Sequence, residues 1–199
     1  MADIYSTRTE LEDIFWNSTM TILGYDPADY NDPLNIPLFM PVRVSWQPEG
    51  APAWKRTDDV VFIRIGEEDD LINVLHDLIY TNKDADNSNQ ATSYTRVVRV
   101  HYVCYGPNSY DNAFKLKRLM FNDTYRLPLT KQNLYLVPSK VSPIRSPELF
   151  DGQYWERADI AFQFNEFVKF NDTVPYIKSA EMTLSVDSNG EITNKDISI

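Results

Sequence analysis

Cysteine, histidine and glycine are scarce in this sequence, and each scarcity closes a line of function. Cys104 is the only cysteine among 199 residues, so no disulfide forms within the chain, which fits a reducing compartment. Only His76 and His101 are available to join it as soft metal ligands. His101 and Cys104 lie three residues apart in a stretch with strand periodicity and therefore face opposite sides. The same geometry removes a Cys–His nucleophile pair. Six glycines leave neither a Walker loop nor a dinucleotide fingerprint, and no nucleophile elbow is present. No apolar run approaches the roughly 20 residues needed to cross a bilayer. Asp3, Glu10, Glu12 and Asp13 stand where a signal peptide requires a basic start. The expectation is a cytosolic product that needs no metal or cofactor and is not an enzyme.

Positive charge is also in deficit. Twenty-nine acidic residues against 19 basic ones give a formal charge of -10, a surface that repels nucleic-acid phosphates and favours solubility. Nine carboxylates between Asp58 and Asp86 face only Arg64 and Lys83. Asp58, Asp59, Glu67, Glu68, Asp69 and Asp70 are the candidate acidic surface. The run Glu67–Asp70 lacks the alternating ligand spacing of a calcium loop and reads as a charged turn. What the chain has in quantity is aromatic side chains, at 13% of residues, with 12 Tyr and 10 Phe. These favour strands and suit protein interfaces, where a Tyr ring is buried while its hydroxyl stays hydrogen-bonded.

Local patterns divide the chain. Thr7 and Glu10 have capping-box spacing, and Leu11, Ile14, Phe15, Ser18 and Ile22 follow at helical intervals until Gly24. Pro27, Pro33, Pro37 and Pro41 make residues 25–41 an extended connection. Val42–Trp46 and Asp59–Ile65 read as strands, the second closed by Gly66. Leu71–Tyr80 fits helix and strand equally well. Lys83–Gln90 is polar and reads as a mobile loop. Tyr94–Tyr105 is the clearest strand, with Val98, Val100, Tyr102 and Cys104 on one face. Ser109 is placed to cap a helix carrying Ala113, Leu116 and Met120 on one side. Asn133–Val137, Tyr154–Val168 and Ile177–Val186 complete the strands, and 187–199 reads as a loose tail. Without steady βαβ alternation the pattern predicts one α+β domain over residues 1–199, a mainly antiparallel sheet flanked by two or three helices.

Two stretches carry a resemblance. One runs from Pro41 through Val42-Arg43-Val44-Ser45-Trp46-Gln47-Pro48-Glu49-Gly50-Ala51-Pro52-Ala53-Trp54 and resumes at Asp59–Ile65. The other is Arg145-Ser146-Pro147-Glu148-Leu149-Phe150-Asp151-Gly152-Gln153-Tyr154-Trp155-Glu156-Arg157-Ala158-Asp159-Ile160. With the strand, turn and helix from Val97 onward between them, residues 5–170 resemble the neck and tail-terminator proteins of tailed bacteriophages. The resemblance implies a twisted antiparallel sheet flanked by helices. It also implies a virion protein, made in the host cytoplasm, that forms a ring, usually of six, at the head-proximal end of the tail. Such a ring ends tail-tube growth, docks on the head-side connector and lets DNA pass without specific binding. The implied partners are further copies of itself, the tail-tube protein and the connector, with no membrane and no catalytic residue. By motif match, Trp46, Trp54, Tyr154, Trp155 and Arg157 are candidate interface residues. Trp155 and Arg157 share one face of the strand read there, where indole and guanidinium can stack and serve the monomer alone. The acidic set is the candidate lining of the lumen.

Two other readings remain open from the sequence. A head-completion or tail-tube subunit shares the architecture, and a tube subunit stacks into long tubes where a terminator closes into a ring. A carbohydrate-binding module or small hydrolase requires an apolar cleft with converging carboxylates.

Overall fold

In the computed structural model, residues 3–30, 39–45, 54–84, 86–175, 180–185 and 192–197 are described. Helix α1 (Arg8–Leu23) begins as the capping box dictates: Thr7 Oγ1 accepts from Glu10 N, and the Glu10 carboxylate accepts from Thr7 N at 2.7 Å. It ends at Gly24, whose left-handed backbone (φ 97°) lets its N–H reach the Met20 and Thr21 carbonyls. Leu11, Phe15 and Ile22 are buried as read, with Thr19 and Met20 beside them. The Pro-rich connection contains a short 3-10 turn, Pro27–Tyr30.

Strand β1 (Val42–Val44) pairs in parallel with β2 (Val60–Glu67), placing Arg43 opposite Phe62. Trp46, read as the end of the first strand, lies outside the described residues. Gly66 does not close β2: Gly66 and Glu67 still pair with Arg99 and Val98. The ambiguous stretch resolves into both of its readings in turn. A 3-10 turn, Leu71–Val74, is capped by the Asp70 carboxylate, which accepts from Ile72 N at 3.0 Å. Strand β3 (His76–Asn82) follows.

The loop expected over 83–90 shrinks to a turn, because β4 (Asn87–Tyr105) begins at Asn87. The Asp84 carboxylate accepts from the backbone of Asp86 and Asn87, each at 2.8 Å. Ser88 is buried and donates to the Thr81 carbonyl at 2.9 Å. Side chain-to-backbone bonds of this kind turn a polar run into a defined hairpin end.

Helix α2 (Ser109–Met120) starts at Ser109 rather than being capped by it: the preceding Asn108 gives its side chain to Asp59 at 2.7 Å, and Ser109 is buried. Helix α3 (Asp123–Thr130), which carries Pro128 inside it, has no counterpart in the sequence reading. Asn122 caps it through Thr124 N at 2.9 Å, and Lys131 N still reaches the Leu127 carbonyl at 3.1 Å. Then come β5 (Leu134–Leu136), β6 (Ile144–Arg145), β7 (Glu148–Phe150), β8 (Gln153–Trp155) and β9 (Arg157–Pro175). The strand read as Tyr154–Val168 is thus two strands broken at Glu156, whose carbonyl accepts from Gly106 N at 3.1 Å. Within 187–199, read as a loose tail, β11 (Ile192–Ile197) pairs antiparallel with β10 (Ala180–Ser185).

The strand order is β1-β2-β4-β9-β5, with β3 on β4 and β6 on β9. The β1–β2 pair is parallel and the β2–β4, β5–β9 and β6–β9 pairs are antiparallel; among the described residues three helices flank this mostly antiparallel sheet, the α+β arrangement the sequence predicts. The chain divides into two compact units. The larger, residues 4–75 and 94–168, contains the main core. Val61 and Ile63, Val98 through Cys104 at alternate positions, and Ala158, Ile160, Phe162 and Phe164 form one buried face. Leu11, Phe15 and Ile22 of α1 and Ala113, Leu116 and Met120 of α2 cover it, with Phe15 and Phe164 rings 4.8 Å apart. The smaller unit, residues 1–3, 76–93 and 169–199, holds β3, the ends of β4 and β9 and the β10–β11 hairpin.

Candidate interface on the outer face of the sheet

Side chains on the other face of β2, β4 and β9 point away from the helices, and at one end of it the aromatic residues gather. Trp54 packs on Phe62 with centroids 4.8 Å apart, on Tyr105 at 5.8 Å and on Trp155 at 6.0 Å. Phe150 meets Trp155 edge-on at 6.0 Å. Such tilted and T-shaped pairs each add about 0.5–1.5 kcal/mol beyond area burial. The Arg43 guanidinium lies 5.8 Å over the Trp54 ring. The indole Nε1 of Trp54 is buried and has no hydrogen-bond partner among the described residues.

A charged knot fixes this cluster. Arg157 donates to both oxygens of Asp159, at 2.8 and 2.9 Å, and to Glu148 at 3.0 Å. Glu148 also accepts the Tyr105 hydroxyl at 2.5 Å. Burial, and then the Glu148 bond, push the Tyr105 phenol up to about 12. The Tyr105 hydroxyl, followed by Arg157, holds Glu148 below the usual carboxylate range. Hydrogen bonding to Asp159 raises Arg157 further above its ordinary value. All three therefore keep fixed charge states near neutral pH. Trp155 and Arg157 do not share one strand: the break at Glu156 separates them, and Arg157 stands 5.8 Å over Tyr105.

The β7–β8 hairpin supplies the outward surface. Asp151 and Gly152 both have positive φ, 49° and 71°, the conformation that a two-residue Asp-Gly hairpin turn requires. Register places Glu148 opposite Trp155 and Leu149 opposite Tyr154. Glu148 and Trp155 join the cluster, while Leu149 and Tyr154 stand outward, 61% and 70% exposed.

The structure therefore brings together Trp54, Trp155 and Arg157 and leaves Tyr154 on the opposite side of its hairpin. Trp46 lies outside the described residues. Sequence reasoning missed Phe62, Tyr105, Glu148, Leu149 and Phe150. The Asp-Gly pair flanked by Leu-Phe and Gln-Tyr-Trp was the available signal. The acidic set is divided by local duties. Asp58 accepts from Lys55 N at 2.9 Å, and Asp59 accepts from Asn108 N at 2.9 Å. Glu68 pairs with Arg99 at 2.6 Å and accepts from Gln163 at 2.8 Å. Asp70 caps the 3-10 turn. Glu67 and Asp69 are exposed.

Cys104 is buried on the core face, where burial raises its thiol far above the ordinary value. His101 sits on the outer face, and burial, then Arg99 and Arg64, lower its pKa. Among the described residues, no group of three or more His, Cys, Asp or Glu is placed to hold a metal ion, and no helix is long and apolar enough to cross a membrane.

A family model described as phage neck terminator protein matches residues 10–192. A search of curated proteins finds no match.

Proposed function

The chain belongs to the phage neck terminator family, and from that premise we propose that it closes into a ring, of six copies, at the head-proximal end of a phage tail. The family assignment makes it a structural protein of the phage particle. In the proposed role the ring ends tail-tube growth, seats on the head-side connector and lets DNA through its lumen. The family match over nearly the whole chain carries this reading, and the outer sheet face supports it. Trp54, Trp155 and Arg157 there form a rigid base, and Leu149 and Tyr154 above it offer apolar area to a neighbour. Outward aromatic residues on a pre-ordered support lose little entropy on docking. Of the acidic set, we assign Glu67 and Asp69 to a solvent or lumen surface, where carboxylates repel the DNA backbone instead of gripping it. Asp58, Asp59, Glu68 and Asp70 serve the fold first.

The test is to add the purified protein to tail-tube subunits as they polymerise and to measure tube lengths by electron microscopy. Tubes are expected to stop lengthening, with one extra ring at a single end. An unchanged length distribution, or incorporation along the tube wall, would count for a tube subunit and against a terminator.

A further inference from the structure

Beyond the aromatic cluster, the outer face opens into a hollow of about 390 Å³ lined by Arg64, Arg99, His101, Lys140, Arg157 and Ile144, among others, with Asp159 the one acidic side chain among the described residues that line it. In a chain of net charge -10 this is a local concentration of cations. Arg99 and Arg157 are paired with Glu68, Glu148 and Asp159. Arg64 and Lys140 are exposed at its mouth. Ile144 beside them is apolar and 66% exposed. Ile144 belongs to β6, which pairs only with β9 among the described residues.

The same chain carries a segment of the opposite character. All seven residues of β3 are exposed, with Leu78, Ile79 and Tyr80 each more than half so. Among the described residues β3 pairs only with β4. An exposed edge strand with an apolar centre is a template for another strand. Its hairpin carries Asp77, Asp84 and Asp86 against Lys83, which itself donates to Thr173 at 2.8 Å.

We propose that the β3–β4 hairpin of one copy docks at the cationic hollow of a second copy, with β3 adding to the open edge of β6. Charge complementarity selects the occupant. Copies of a chain this acidic repel one another, and the hollow is where approaching carboxylates are attracted instead. The two halves of the contact differ, so the contact is head-to-tail, the kind that closes into a ring and not only a two-fold dimer. Leu78, Ile79 and Tyr80 cover Ile144, and Asp77 faces Arg64 and Lys140. This inference rests on the ring reading.

The test uses two full-length single variants, Asp77→Cys and Lys140→Cys, mixed and mildly oxidised. Buried Cys104 stays in place. The mixed disulfide is expected to exceed either like-with-like product at least tenfold. Arg64→Glu with Lys140→Glu is expected to weaken self-association at least tenfold while circular dichroism stays unchanged. Like-with-like products in excess, or rings that persist with neither cross-link nor sensitivity to the charge reversal, would overturn the contact and leave the ring intact. Absence of both cross-link and rings, even with tail-tube subunits present, would overturn the contact together with the ring reading.

Discussion

Glu166→Ala is expected to lower folding stability by about 3–5 kcal/mol, the usual consequence of removing one partner of a buried ion pair. Glu166 sits on the core face of β9, 1% exposed, where the alternation of Ile160, Phe162 and Phe164 calls for an apolar side chain. Its carboxylate accepts from the Arg96 guanidinium, with Arg96 Nε at 2.7 Å, and from Ser6 N at 2.7 Å. Arg96 also donates to the Ser6 carbonyl at 2.7 Å. The pair thus joins β4, β9 and the residues that lead into α1. Alanine leaves the Arg96 charge without its counterion and Ser6 N without its acceptor, and each loss costs far more than the pair contributes net. The double variant Arg96→Met/Glu166→Met should recover most of the stability, because an apolar replacement leaves no orphaned charge. Denaturant midpoints at constant m-value measure both. A loss under 1 kcal/mol in Glu166→Ala would mean that water reaches the site.

Gly106→Ala is expected to cost about 2–4 kcal/mol, from left-handed backbone strain plus a steric clash. Gly106 closes β4 with φ 107°, and a Cβ there falls 2.5 Å from the Asp58 carbonyl oxygen and 2.8 Å from Asp59 Cα. Neither is the end of a flexible side chain, so backbone must move. The turn it makes aligns Asn108 for its two bonds to Asp59 and starts α2. Gly66→Ala is the control, because a Cβ there meets nothing within 4 Å; its midpoint should hardly move. Equal losses at the two glycines would remove the clash as the cause.

The parts of this protein that were legible in its sequence are those where one local rule acts alone. The capping box at Thr7 and Glu10, the αL stop at Gly24 and the alternation Val98–Cys104 all stand as read. Failures arose where side chain-to-backbone bonds override what polarity or proline content suggests. The polar run 83–90 became a hairpin end because Asp84 and Ser88 bond the backbone, and α3 formed despite Pro128 because Asn122 caps it. Part of the aromatic cluster was legible by residue type, since Trp54 and Trp155 meet and Arg157 joins them through Tyr105. Its arrangement was not. Tyr105 and Phe62 looked like ordinary strand residues, and only the sheet register brings them to Trp54. The acidic run was legible as charge but not as function, because several of its carboxylates hold turns and strand ends that become visible only in three dimensions.

The ring is the central claim, and the mass of the purified protein in solution, followed by mass photometry across concentration and salt, tests it most directly. A closed oligomer of fixed size is expected, with six copies of the 23.1 kDa chain. Moderate salt should favour it by screening the repulsion between acidic subunits. A strictly monomeric species at high concentration and moderate salt, still monomeric when tail-tube and connector proteins are added, would contradict it.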